Sequence, residues 1–165
     1  MTKIPNGILS PDTKDRRLLA LVQRDANTSQ AELAKRIGLS AAAVNERLKK
    51  LEKAGVIRRY VAVVDPQSVG ATIAAFVEVF IEHPRFEAAF IERLKKLDEV
   101  QECHHITGEF SLLLKVRTRD VQSLQDLLLH QLNGMEGVRQ TRTVMVLSTA
   151  KEEGYVPTGP RGETP

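Results

Sequence analysis

The stretch that most limits what this chain can fold into is "SQAELAKRIGLSAAAVNERLKKLEKAG", residues 29–55. It reads as two helices, each with its own start and stop. Ser29 followed by Glu32 has the spacing of a capping box. Leu33, Ala34 and Ile37 supply a buried face, and Gly38 suits the left-handed residue past a helix end, with Leu39 packing back into the core. Ser40 caps the second helix, where Val44, Leu48 and Leu51 recur at i, i+4 and i+7 before Gly55 closes it. A further helix precedes the pair. Asp12 is its N-cap, with Ser10-Pro11 an alternative start, and Asp15 suits the helix dipole in the first turn. Leu18, Leu19, Leu21 and Val22 form its apolar stripe, and "DANTS" ends it.

Two short helices joined by a glycine-containing turn, the second serine-capped, form the helix-turn-helix pattern. The second helix of such a pair enters a DNA groove about 12 Å wide, so its leading residues need to be small or polar and its flanks basic. Ser40, Ala41 and Ala42 open it, and alanine methyls can touch thymine methyls. Asn45 can read a base edge, while Arg47, Lys49 and Lys50 can reach phosphates. Charge supports the reading. Residues 1–60 hold 13 Lys and Arg against 6 Asp and Glu, whereas residues 61–165 hold 11 against 15, within a total of +3. A basic first part suggests contact with a polyanion, which a plain three-helix bundle with a solvated basic face does not require. Val56 to Val64 is β-rich and reads as a wing or linking strand, its Arg58-Arg59 extending the basic surface.

Asp65–Gly70, "DPQSVG", marks a linker, so residues 1–64 read as the DNA-binding domain and residues 71–150 as a second domain. In the second, Ile73, Ala75, Val77, Val79 and Ile81 alternate as a strand face. A helix follows with Phe86, Phe90, Leu94 and Leu97 inward. Strands at Val100–Thr107 and Leu112–Arg117 flank "GEFS". A helix over Val121–Asn133 turns Val121, Leu124, Leu128 and Leu132 inward, and a last strand covers Val138–Thr149. The order β-α-β-β-α-β is ferredoxin-like, an α+β fold with helices on one face of the sheet. The other sheet face calls for a cover, and a second copy is the economical one. Residues 151–165, rich in Gly, Pro and charge, read as a disordered tail.

One cysteine excludes an internal disulfide and suggests a reducing compartment; with no signal peptide and no apolar run near the roughly 20 residues that span a bilayer, the expectation is a cytoplasmic protein with no membrane contact. Cys103, His104 and His105 suggest a metal site at first sight. Neighbours on a strand point to opposite faces, however, and two ligands on alternate residues fall short of a four-ligand zinc site, so neither a metal nor a cofactor is expected. No phosphate loop or nucleophile elbow is present, and no catalytic residue is assigned.

Taken together, Asp12, Asp15, Leu18 and Leu19, then "ELAKRIGLS", "VNERLKKLEKAGVIRRY", "VVDPQSVG", "ECHHITGEFSLLLKV" and "GVRQTRTVMVL" resemble the Lrp/AsnC, or feast/famine, family of transcription regulators from Asp12 to about Leu147. The resemblance implies a winged helix-turn-helix domain that binds double-stranded DNA as part of a dimer. It also implies a ferredoxin-like C-terminal (RAM) domain that assembles the chain, commonly to an octamer of four dimers, and binds an amino-acid-like effector. It points to Ser40, Ala42, Asn45, Arg47 and Lys49 as DNA contacts. The family's effector loop, of the form T-G-acid-aromatic-Asp, falls on Thr107, Gly108, Glu109, Phe110 and Ser111, with Thr141 and Thr143 lining the same cleft. Ser111 stands where aspartate is usual. That departure implies a shifted effector preference, or a regulator acting by assembly alone. Siroheme-type decarboxylases, which share the fold and use C-terminal-domain histidines, form the enzyme alternative; their DNA-binding helix tends to be degraded, and this one is intact.

Overall fold

A computed structural model describes residues 10–159, and the chain divides into two compact units: residues up to Ala62 together with the segment from Glu152, and Val63–Lys151. The first unit is built on three helices, α1 (Thr13–Arg24), α2 (Gln30–Ile37) and α3 (Ala41–Lys53). Their core is Leu18, Leu19, Val22, Leu33, Ala34, Ile37, Val44 and Leu51, with Leu21, Leu39, Leu48 and Ile57 packed at its rim. The capping differs from expectation in an instructive way. Ser29 accepts from the Glu32 amide, but the Glu32 carboxylate turns forward to Arg36 Nε at 2.9 Å instead of closing the box. The reciprocal box forms on α1, where Asp12 accepts from the Asp15 amide at 2.8 Å and Asp15 from the Asp12 amide at 3.1 Å. Asp15 is buried, so its carboxylate has few alternatives, whereas exposed Glu32 has a cation one turn away. Gly38 takes φ 67°, the left-handed turn expected between α2 and α3.

Residues 58–65 form no strand, contrary to the wing or linking-strand reading. Tyr60, Val61, Val63 and Val64 are exposed, Val63 at 96%. β-branched residues favour a pleated surface only where a neighbouring strand supplies hydrogen bonds, and among the described residues none does. The tail also differs from expectation. Gln23 pairs through its side-chain amide with Val156, donating from Nε2 to the Val156 carbonyl (3.1 Å) and accepting from the Val156 amide at Oε1 (2.8 Å). Thr158 Oγ1 donates to the Arg16 carbonyl at 3.0 Å, and the Arg24 guanidinium lies 6.0 Å from the Tyr155 ring centre. Composition registers scarce apolar residues there; it does not register an amide side chain that imitates a strand edge. The last residues of the expected tail, 160–165, lie outside the described residues, as do residues 1–9 of the first domain.

The second unit is a four-stranded antiparallel sheet, β1 (Ile73–Ile81), β2 (Val100–His105), β3 (Leu112–Thr118) and β4 (Val138–Met145), in the order β2-β3-β1-β4. This is the ferredoxin-like arrangement. A 3-10 turn (Pro84–Phe86) leads into α4 (Glu87–Leu94), and α5 (Val121–Asp126) runs on into a π-helical stretch, Leu127–Leu132. Ala75, Val77, Val79 and Ile81 are buried with Leu112, Leu114 and Val116 beneath Phe90, Leu94, Leu124, Leu127 and Leu132. The expected inward set on the last helix changes at two positions: Val121 is 57% exposed, and Leu127 takes an inward place. The Asn133 amide bonds to the Leu128 carbonyl, five residues back. Such a bond widens the turn.

Candidate nucleic-acid interface and effector loop

α3 carries the expected interface. Ser40 is committed to capping, accepting from the Ala43 amide at 3.2 Å. At about 100° per residue, the buried stripe of Val44, Leu48 and Leu51 leaves Ala42, Glu46, Lys49 and Lys53 on the opposite arc, with Asn45 and Lys50 at its two edges. Ala41, Ala42, Lys49 and Lys50 are exposed, Asn45 is half-buried, and Arg58 is exposed beyond the helix end. Asn45 Oδ1 accepts from Gln30 Nε2 at 3.3 Å, tying this side of α3 to the first residue of α2.

Arg47 behaves differently from its sequence assignment as a phosphate contact. It sits at the seam, three residues after Val44 and four before Leu51, and turns toward α1. Its Nη1 lies 2.6 Å from Asp15 Oδ1 and 2.7 Å from Asp12 Oδ2. The Asp12 carboxyl is held below its ordinary range, first by the Asp15 amide and then by Arg47; Arg47 is raised in return by its bonds to Asp12 and Asp15. Spacing alone carries a signal for this: a position flanked by buried residues three and four away faces a neighbouring helix as much as solvent. Just past α3, the Tyr60 hydroxyl donates to Glu52 Oε1 at 2.9 Å, and its pKa is pushed up to about 12 by desolvation and by that carboxylate.

In the second unit the loop Thr107–Ser111 bridges β2 and β3 with Gly108 at φ 118°, a conformation that L side chains rarely adopt. Thr107 and Glu109 are exposed, whereas Phe110 is 4% exposed. Ser111 is stitched into the sheet. Its amide donates to the Val79 carbonyl at 3.0 Å, its carbonyl accepts from the Ile106 amide at 3.1 Å, and its hydroxyl accepts from the Ile81 amide at 3.5 Å, beside the β1–β4 irregularity at Phe80/Ile81. The Arg142 guanidinium stacks 5.0 Å from the Phe110 ring centre and pairs with Glu78, its cross-strand partner. That bond lowers the Glu78 pKa and raises that of Arg142. Sequence reasoning missed both residues, because opposite charges 64 positions apart become neighbours only once the β1–β4 register is known.

Thr141 and Thr143 share a face, as expected, but it is the helix-side face of β4. Thr141 Oγ1 donates to Asn133 Oδ1 at 3.1 Å, and Thr143 lines a shallow apolar cleft with Val121, Leu128, Leu129 and Met145. Arg142, between them, faces the other way beside Phe110. Within one chain, therefore, the loop and the two threonines open to different sides of the sheet.

The histidines of β2 diverge. His104 Nε2 lies 3.0 Å from Glu102, while His105 Nε2 lies 3.5 Å from Glu87 on α4. Cys103 is half-buried, and burial pushes its thiol pKa up. No helix among the described residues is long and apolar enough to cross a membrane.

Comparison with known proteins places both units. Residues 11–58 match a family model described as winged helix-turn-helix DNA-binding, and residues 74–156 match the Lrp/AsnC ligand binding domain. The leucine-responsive regulatory protein of Escherichia coli is 37% identical over 143 residues, covering 86% of this chain and 87% of its own. Among solved structures, a transcriptional regulator from Neisseria meningitidis in complex with L-methionine superposes with a TM-score of 0.85 at 30% identity, covering 90% of this chain and 97% of that one. A feast or famine regulatory protein from M. tuberculosis, complexed with L-methionine, gives 0.82 at 33% identity, covering 89% and 99%.

Proposed function

Because the chain belongs to the Lrp/AsnC family of DNA-binding transcriptional regulators, we propose that it binds double-stranded DNA through α3 as part of a dimer and responds to an amino acid bound in its C-terminal unit. The observation that carries the DNA-contact assignment is the free arc of α3, where small residues, one amide and lysines lie together away from the buried stripe. Ala41 and Ala42 let the helix sit deep, Asn45 meets a base edge, and Lys49, Lys50 and Arg58 meet phosphates. Arg47 acts as a positioning residue that fixes α3 against α1.

The effector reading rests on the loop Thr107–Ser111 and on the L-methionine complexes of two similar proteins. Thr141 and Thr143 line a different side of the sheet from Phe110, so a ligand touching both sets needs a neighbouring copy. Assembly also fits the uncovered sheet face, where exposed Phe76 and Val144 are cross-strand partners, and the exposed Val61, Val63 and Val64. A dimer, extended to an octamer of four dimers, covers these surfaces. The chain is read as a cytoplasmic regulator and not an enzyme, since the relatives named above are regulators and the β2 histidines diverge.

Calorimetric titration with each of the twenty amino acids, paired with light scattering, tests the effector reading. Heat and a change in assembly with at least one of them is expected. No heat and no change with any of them favours the second reading, which the Ser111 departure supports: a regulator working by assembly without an amino-acid effector.

A further inference from the structure

We infer that Tyr155–Thr158 is a latch: docked on the outer side of α1, it gives the DNA-binding unit a second tether to the C-terminal unit and thereby narrows the spacing of half-sites that a dimer accepts. The inference rests on the proposal that the chain binds DNA as a dimer through α3.

The chain leaves the first unit at Ala62 and returns to it at Glu152, so that unit is closed by its own tail. Among the described residues, five contacts hold the returning segment on α1. Gln23 meets both backbone groups of Val156: Nε2 donates to the carbonyl at 3.1 Å, and Oε1 accepts from the amide at 2.8 Å. A backbone amide only donates and a carbonyl only accepts, so this pair has one sense. Arg16 and Thr158 are also joined twice. Arg16 Nη1 donates to the Thr158 carbonyl at 3.0 Å, and Thr158 Oγ1 donates to the Arg16 carbonyl at 3.0 Å. The Arg16 guanidinium is itself anchored, its Nε donating to the Pro11 carbonyl at 3.2 Å. The fifth contact is Arg24 over the Tyr155 ring, 6.0 Å from its centre. Ala20 supports the docking independently. At about 100° per residue it lies about 150° from the middle of the stripe Leu18, Leu19 and Val22. It is not part of the three-helix core, yet it is 4% exposed. Its neighbours at i−4, i+3 and i+4 are Arg16, Gln23 and Arg24, the three residues that hold the tail.

Docking has a mechanical consequence. With the tail free, a single connection, through Ala62 and Val63, ties the first unit to the second; with the tail docked there are two. A unit on one tether can rotate to meet half-sites at several spacings, and a second tether excludes most of those rotations. α1 passes the restraint to α3, because Arg47 Nη1 pairs with Asp15 and Asp12. The latch is also weak enough to open. Hydrogen bonds at an exposed site contribute little each, and the entropy of ordering the tail opposes them. A duplex whose spacing forces the latch open is therefore bound more weakly by the factor that favours closure, and weakening the latch gives that factor back.

The test uses the full-length protein and duplexes built on a site selected from a randomised pool, with the half-sites as selected or moved apart by a few base pairs. The chain has no tryptophan, so Tyr155→Trp supplies a single emission that reports docking while the ring still stacks on Arg24. Gln23→Ala removes both bonds to Val156. Deletion of residues 155–165 removes the latch and keeps Glu152 and Glu153. Gln23 is exposed, so its replacement leaves the three-helix core intact. The expected result is a sharp spacing preference in the parent. In Gln23→Ala the penalty for altered spacing falls by at least about fivefold, the factor for one net hydrogen bond, and in the deletion it falls further. In the Tyr155→Trp background, Gln23→Ala moves the emission to the red. Affinity for a duplex with a single half-site stays the same throughout, because α3 is unchanged. If the emission does not move, if it moves and the spacing penalties stay, or if the parent is indifferent to spacing, the latch is overturned while the DNA reading stands. If the parent selects no duplex, the DNA reading fails and this inference goes with it.

Discussion

Arg47 Nη1 lies 2.6 Å from Asp15 Oδ1, joining α3 to a buried carboxylate at the start of α1. Asp15 is 4% exposed, so removing the guanidinium leaves a buried charge that, among the described residues, keeps the Asp12 amide as its partner. Arg47→Met is expected to lower the unfolding free energy of the N-terminal unit by about 1–2 kcal/mol, measured by urea denaturation. Lys49→Ala, at an exposed site, is expected to change it by less than about 0.5 kcal/mol while weakening DNA binding. Equal stability of the two variants would place Arg47 among the free cations instead.

The same cluster sets an acid limit. The Asp12 pKa is depressed in the folded state, so its stabilising contribution is present above its unfolded value near 3.8 and is lost as pH falls through the lower folded value. By linkage the parent should resist acid further than Arg47→Met does, with the difference confined to pH below about 4. Because the Asp15 amide is the larger cause, the Asp12 pKa in Arg47→Met should rise only part of the way to its ordinary value. NMR titration of the Asp12 carboxyl reads this directly, and an unshifted value in the parent would contradict it.

Gly108 holds φ 118° in the loop Thr107–Ser111, the proposed effector loop. Gly108→Val is expected to strain the loop by about 1–3 kcal/mol and to disturb effector response or assembly, while the N-terminal unit still binds DNA. Gel-filtration behaviour and DNA affinity of the full chain separate the two effects. Unaltered effector response together with unaltered assembly would count against the loop assignment.

The bond between Gln23 and the tail predicts an exchange effect. Gln23→Ala removes the acceptor of the Val156 amide, which should then exchange about fivefold faster, as expected when a bond worth about 1 kcal/mol is removed. Amide exchange by NMR measures it; an unchanged Val156 rate would mean that the bond is not sustained in solution.

The elements legible in the sequence share a property. Leu33, Ala34, Ile37, Gly38 and Ser40, or Ala75, Val77 and Val79, carry their signal within a few neighbouring residues, where a period of 3.6 or two and a cap residue suffice. The features that stay hidden depend on partners distant in sequence. Arg47 reads as a free cation because Asp12 and Asp15 lie on another helix. Thr141 and Thr143 read as neighbours of the loop, and it is the β1–β4 register that puts Arg142 beside Phe110 instead. Leu127 stands three residues past Leu124, a spacing that fits the helical period as well as Leu128 does, and Val121 lies at the exposed start of the helix. The β-rich run Val61–Val64 reads as strand from its side chains, yet a strand also needs a neighbour, and the described residues do not supply one.

The central claim is that the lysines of α3 meet phosphates, and the salt dependence of DNA affinity tests it most directly. Each lysine withdrawn from a phosphate should lower the slope of log affinity against log salt by about 1. The account predicts a steep negative slope for the parent on a selected duplex, reduced by about 1 in Lys49→Ala and again in the double variant with Lys50→Ala. An unchanged slope in both variants, or an affinity insensitive to salt in the parent, would contradict it.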